Sequence, residues 1–137
     1  MKDCIFCKIA EGIIPSTKVY EDDDVIAFLD INPATIGHTL VISKNHYDNF
    51  LATPPEIMHK VMSVAQRLGQ IMMKKLLARG VNILTNCYPA AGQSVLHFHV
   101  HVIPRYDKTD GLQISMLERS GQKLNLPAVA EKIREEL

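Results

Sequence analysis

No surplus of charge of either sign marks this sequence: 15 lysines and arginines are matched by 15 aspartates and glutamates over 137 residues. A balanced chain has no long-range positive field to gather DNA or RNA, so nucleic acid is not expected as a partner, and only a small anion held by local contacts fits. Nowhere do about 18 apolar residues run together, and Met1-Lys2-Asp3-Cys4-Ile5-Phe6-Cys7 lacks the apolar stretch of a secretory leader. Neither a membrane span nor export is expected, and the reading is cytoplasmic. Cysteine is scarce, and three is an odd number, so in a reducing compartment metal or redox chemistry is a better expectation than a disulfide framework. Absent too are the Gly-x-x-x-x-Gly-Lys and Gly-x-Gly-x-x-Gly loops. Any phosphate chemistry must be organised by other groups.

What is present is ordinary globular usage, 47% apolar and 22% charged residues, with no repeat or low-complexity tract. Cys4 to Ala10 reads as a short helix stopped by Gly12. Lys18 to Glu21 and Val25 to Asp30 read as strands either side of the acidic turn Asp22-Asp23-Asp24, and Gly37 to Ser43 as a third. Thr53-Pro54-Pro55-Glu56 has the form of a capping box opening one long helix that ends at Gly80. Ile57, Val61, Val64, Leu68, Ile71 and Leu76 keep the helical period and define its packing face. Val81 to Cys87 and Leu96 to Ile103 complete five strands, with Cys87 expected as a buried free thiol, and Pro127 to Glu136 forms a last helix. This order predicts an α+β fold, an antiparallel five-stranded sheet with one long helix and short terminal helices. Residues 1–106 form the expected domain and 107–137 a tail.

Side chains alternate along a strand, so His97, His99 and His101 are expected on one face with Phe98, Val100 and Val102 on the other. Neutral imidazole is both a metal ligand and a nucleophile. Upstream, Ala90-Ala91-Gly92-Gln93-Ser94 offers backbone N–H groups, an amide and a hydroxyl as neutral donors to anionic oxygens. That loop favours phosphate chemistry, because an uncharged nucleophile avoids the repulsion a carboxylate meets at a phosphorus centre.

His97-Phe98-His99-Val100-His101-Val102-Ile103 resembles the histidine-triad pattern, His-φ-His-φ-His-φ-φ with φ apolar. The likeness continues through Gly92-Gln93-Ser94, Asn86, Gly37 to Ile42 and Phe28-Leu29-Asp30. The resemblance implies hydrolysis or transfer at the α-phosphate of purine nucleotide conjugates, either nucleoside phosphoramidates or dinucleoside polyphosphates. It implies His99 as the nucleophile that forms a nucleotidyl-histidine. His101 would contact the phosphate and leaving group, with His38 buttressing the triad. Gln93, Ser94 and Asn86 would hold phosphate or leaving-group atoms, Asp30 the ribose, and Ile26 and Phe28 a base pocket, although core packing is an equal or better reading for those two. It also implies a homodimer whose sheet continues across two chains.

Cys4-Ile5-Phe6-Cys7 supplies two thiol ligands, and His46 and His97 are the candidates for completing a Cys2His2 zinc site. Some bacterial members of the family resemble this arrangement, in which His97 serves the metal and the chemistry rests on His99 and His101. Unmetallated thiols and a redox pair are the alternatives for the cysteines. For the whole chain, the alternatives are a metal-dependent hydrolase using all three histidines and a nucleotide-binding regulatory protein with incidental turnover.

Overall fold

The apolar runs become strands and the long amphipathic stretch becomes the helix that covers them. The computed structural model describes residues 3–119 and 124–137. Its elements are α1 (Ile5–Ala10), β1 (Lys18–Glu21), β2 (Val25–Leu29), β3 (Thr39–Ser43), α2 (Pro55–Lys75), β4 (Gly80–Leu84), β5 (His99–Arg105) and α3 (Leu126–Arg134). The five strands form one antiparallel sheet in the order β1-β2-β3-β5-β4. The fold class is the one expected. No helix among the described residues is long and apolar enough to cross a membrane.

Register decides which side chains reach which layer. Val41 pairs with Val100 and with Ala27, and these residues join Val25, Phe98 and Val102 on the face covered by Val61, Ala65 and Met72 of α2. Ile42 pairs with His99 and Ile26, and Leu40 with His101 and Phe28, so these six residues share the opposite face. There Phe6 and Ile9 of α1 pack on Ile26, Phe28, Leu40 and Ile42. The histidines therefore sit under a helix at the mouth of a second, smaller core.

Four local expectations need correction. Thr53 does not cap α2. Its hydroxyl donates to the Asn49 carbonyl at 2.7 Å, and the helix starts from Pro54 with no side-chain cap. Neither Pro54 nor Pro55 has an N–H to offer such a cap, so the box has less to satisfy. The helix ends at Lys75, not Gly80, because Leu77 takes φ +59° and the Ala78 N–H closes on the Met72 carbonyl at 3.3 Å. Of the expected packing face, Ile57, Val61, Val64 and Leu68 do pack on the core, joined by Ala65, Gly69 and Met72, while Ile71 and Leu76 are exposed. β4 stops at Leu84, which leaves Cys87 half-buried in the following loop.

The connection entering β3 requires glycine. Gly37 has φ +95°, and a Cβ there would lie 2.6 Å from Leu76 Cδ1 and 3.2 Å from Pro104 Cγ. A side chain at this position meets both backbone strain and a clash. The close approach places His38 at the threshold of β3, facing β5.

After β5 the chain stays tied to the sheet through residue 112. Arg105 binds Asp110 at 2.9 Å and donates to the Leu112 carbonyl, and the Gly111 N–H donates to Ala34 O at 2.8 Å. The expected tail includes residues 120–123, which lie outside the described residues. None of the side chains of α3 is buried.

Candidate active site and metal centre

β5 begins at His99, so the histidines do not all alternate along one strand. His97 lies in the bend before it, its N–H closing a tight turn on Val95 O at 2.9 Å, and it is fully buried. The bend separates the three histidines into two sites.

At the first site, the tautomer of each ring follows from fixed backbone partners. The Ala34 N–H donates to His38 Nδ1 at 3.0 Å, so the His38 proton sits on Nε2. That Nε2 lies 2.9 Å from His101 Nδ1 and donates to it, which leaves the His101 proton on Nε2. His99 Nδ1 is 2.7 Å from the His97 carbonyl. A carbonyl only accepts, so Nδ1 carries the proton and Nε2 keeps its lone pair. His99 is thus set as a nucleophile and His101 as a donor, their ring centroids 5.1 Å apart.

A cleft of about 370 Å3 opens on this pair. Its lining includes His99, His101 and Ser94, Phe28 of β2 with Asp30 just beyond it, and Ile9 of α1 with Ile14 further along the chain. Five of the expected site residues are thereby brought together, with His38 behind them. Asp30 Oδ2 lies 3.6 Å from His38 Nε2, and its Oδ1 accepts the Asn32 N–H at 2.9 Å. Asp30, His38 and His101 are close enough to hold an ion, but the Ala34 N–H keeps His38 Nε2 protonated. The cluster is a hydrogen-bond chain as it stands.

Three expected residues do not line the cleft. Ile26 is 1% exposed and packs in the core beneath α1. Asn86 donates to Gly92 O at 3.4 Å. Gln93 is buried with its whole amide engaged. Nε2 donates to Asp48 O at 2.6 Å and Val95 O at 2.9 Å, and Oε1 accepts from Tyr88 N at 2.6 Å and Asn49 Nδ2 at 3.4 Å. These two amides shape the 86–95 loop.

At the second site Cys4, Cys7, His46 and His97 place Sγ, Sγ, Nδ1 and Nδ1 within 4.8 Å of one another. Cys4 Sγ is 3.2 Å from His97 Nδ1, and Cys7 Sγ is 3.4 Å and 3.5 Å from His46 Nδ1 and His97 Nδ1. Tetrahedral zinc with ordinary Zn–S and Zn–N bonds requires S···N separations of about 3.5 Å. The outer nitrogens are also spoken for: His97 Nε2 donates to Ser43 O at 2.6 Å, and His46 Nε2 faces Asp48 Oδ1 at 3.2 Å. Both lone pairs therefore turn inward, as metal-ligating imidazoles do when their outer N–H is held. The Cys7 N–H donates to Cys4 Sγ at 3.3 Å, which suits a thiolate. The four residues fit a tetrahedral metal ion.

Burial holds the cleft-side imidazoles neutral. It pushes His101 down to about 4 and lowers His38 and His99 from their usual range, against the opposing pull of Asp30 and, at His99, of the His97 carbonyl. These rings consequently stay neutral at neutral pH. The same shifts make the fold acid-sensitive. An unfolded histidine binds its proton near pH 6.5, so below that pH the unfolded chain holds more protons. The stabilisation is complete above about pH 6.5 and is lost as pH falls toward 4. Urea midpoints taken from pH 7 to 4.5 should fall less steeply in His101→Gln than in the wild type. Parallel slopes would contradict this assignment.

The sequence could not reveal the main-chain groups of Ser43, Ala34 and His97 that set the tautomers. Nor do Asp48, which faces His46 Nε2, and Asn49, only 1% exposed, lie in any recognisable sequence pattern.

A family model described as the HIT domain matches residues 11–108. The chain is similar to the adenylylsulfatase HINT3 of Arabidopsis thaliana, 37% identical over 92% of this chain and 64% of that one. Among solved structures, a HIT family protein of Bacillus anthracis superposes with a TM-score of 0.93 at 41% identity, covering 98% of this chain and 97% of the other. A zinc-bound histidine-triad protein of Mycobacterium smegmatis gives 0.77 at 35% identity, covering 99% of each. With the family model matching well over half its length, the chain belongs to the HIT family of histidine-triad proteins.

Proposed function

We propose that this protein is a hydrolase or transferase acting at the α-phosphate of purine nucleotide conjugates, phosphoramidates or dinucleoside polyphosphates, by way of a nucleotidyl-His99 intermediate. The observation that carries this reading is the bond from His99 Nδ1–H to the His97 carbonyl, which aims the Nε2 lone pair at the cleft. Attack forms an Nε2–P bond as the bond from phosphorus to the leaving group breaks. The His101 Nε2–H, its direction fixed through His38, donates to the phosphoryl or leaving-group oxygen or nitrogen. Ser94 adds a second neutral donor. Water then cleaves the N–P bond and releases the nucleotide. Asp30 accepts the ribose hydroxyls, and Phe28, Ile9 and Ile14 flank the base.

The adenylyl conjugate in the name of the Arabidopsis relative supports this substrate class, and the zinc-bound mycobacterial structure supports zinc at Cys4, Cys7, His46 and His97. There the ion would tie α1 to the sheet. Rapid acid quench of the protein with an adenosine phosphoramidate and a dinucleoside polyphosphate, followed by peptide mapping, tests the reaction. An adenylyl group on His99 is expected, and turnover with no adduct at that residue would overturn it.

A homodimer fits the exposed apolar side chains on the edge strand β4, Ile83 and Leu84, and on α3, Leu126, Val129 and Ile133. Sedimentation should return twice the 15.4 kDa chain mass. A monomer at micromolar concentration would count against this pairing.

A further inference from the structure

The metal centre and the nucleophile meet in one peptide unit. The His97 carbonyl holds the His99 proton at 2.7 Å, and the other end of that peptide plane, the Phe98 N–H, donates to Tyr47 O at 2.7 Å. His97 and His46, the neighbour of Tyr47, are the two imidazoles of the four-residue cluster that could hold an ion. An ion held by the cluster would pin both segments that orient the plane. His97 precedes β5 and has no ladder bond of its own. α1 carries both thiols, Cys4 at its N-cap and Cys7 in its first turn. Cys4 is half-buried and lines a surface cavity of about 450 Å3 with Asp3, Ile5 and Leu96. A small oxidant therefore has a route to one sulfur.

We propose that the Cys4–Cys7 pair is a redox control on the nucleophile: with the ion held, the His97 carbonyl keeps His99 in its Nδ1–H tautomer, and oxidation of the thiolates by a hydroperoxide releases both. The Cys4 thiolate attacks the peroxide oxygen, breaking the O–O bond and giving a sulfenic acid and, after protonation, an alcohol. The Cys7 thiolate then displaces hydroxide from that sulfur, closing a disulfide, and the hydroxide leaves as water. Two thiolates, one hydroperoxide and two protons are consumed, and two neutral imidazoles alone would be left to hold a divalent ion. The main core does not include α1, so the sheet and α2 persist. His97 is a positioning residue in this scheme, acting through His99.

The effect on turnover rests on His99 being the attacking group, but the structural readouts do not. The zinc-loaded full chain, labelled with 15N-histidine, is treated with a hydroperoxide and followed by a chromophoric chelator, thiol titration, 15N shifts and far-UV circular dichroism. Loss of two thiols should release one ion per chain, move His99 off the Nδ1–H tautomer and slow turnover at least tenfold. Dithiol reductant with zinc should restore all three. Cys87→Ser should respond like the wild type. The double variant Cys4→Ser, Cys7→Ser should show the altered tautomer without oxidant. Ion release with His99 still in the Nδ1–H tautomer would overturn the proposal, as would thiol oxidation without ion release or loss of the sheet signal in any of these samples. A normal tautomer response in a protein that turns over no nucleotide conjugate would instead refute the catalytic reading alone.

Discussion

His99→Ala is expected to lower turnover of nucleotide conjugates by about four orders of magnitude or more, the scale on which enzymes lose activity when a covalent nucleophile is removed. No neighbour can replace it. His101 Nδ1 is occupied by His38, and its Nε2 carries a proton rather than a lone pair. His97 is turned away, with Nδ1 toward the thiols and Nε2 on Ser43. The variant should still fold, because the side chain makes one hydrogen bond, to the His97 carbonyl, and packs against Phe6 with ring centroids 5.0 Å apart. Its urea midpoint therefore serves as the control. Nucleotide binding should survive, since Asp30, Phe28 and Ser94 are untouched, and calorimetry on a non-hydrolysable analogue reads that separately. Turnover within tenfold of wild type would eliminate covalent catalysis at this residue and return the metal-dependent reading to first place.

His101→Gln should act differently. Glutamine can present an N–H toward the cleft but lacks the ring that relays the direction set by Ala34 through His38. A loss smaller than that of His99→Ala is expected, in kcat more than in KM, as for a group whose interaction strengthens in the transition state.

The fold was legible because its strands are short, β-branched and bounded by turn residues. β1 falls at Lys18–Glu21 as expected, and β3 differs only at its first residues. Element ends were less legible where backbone conformation, not side-chain type, decides. Leu77 in the left-handed region closes α2 early, an unusual position for a leucine that no pattern announces. The bend at His97 was hidden by the alternation of His97, Phe98 and His99, which reads as strand whether or not the ladder reaches it. The Cys2His2 cluster was legible because thiol and imidazole are few and distinctive. The hydrogen-bond donors of the loop were misleading for the opposite reason. A polar side chain near an expected anion looks like a ligand until its partners are counted, and Gln93 has four.

Gln93→Ala should accordingly destabilise the fold by about 2–4 kcal/mol, because it strands the Asp48 and Val95 carbonyls and the Tyr88 N–H in part-buried positions. Were Gln93 a phosphate ligand, its loss would raise KM and leave the urea midpoint in place. As a brace it should shift the midpoint first. Activity should then fall through Ser94, the next residue, which lines the cleft. The brace also spans two sites. Gln93 grips the Asp48 carbonyl while the Asp48 carboxylate faces His46 Nε2, so the loop before β5 is tied to the segment that carries a metal ligand. Metal affinity should weaken along with stability, which competition with a chromophoric chelator measures. Gln93→Glu sharpens the test. It keeps the size and one acceptor, but at neutral pH it sets a carboxylate against two carbonyl oxygens that need donors. It should be at least as destabilising as alanine near pH 7, with part of the loss recovered as the pH falls and the carboxyl regains a proton to donate. A phosphate-binding role predicts no such recovery, because a protonated carboxyl in an open cleft would have no carbonyl to satisfy.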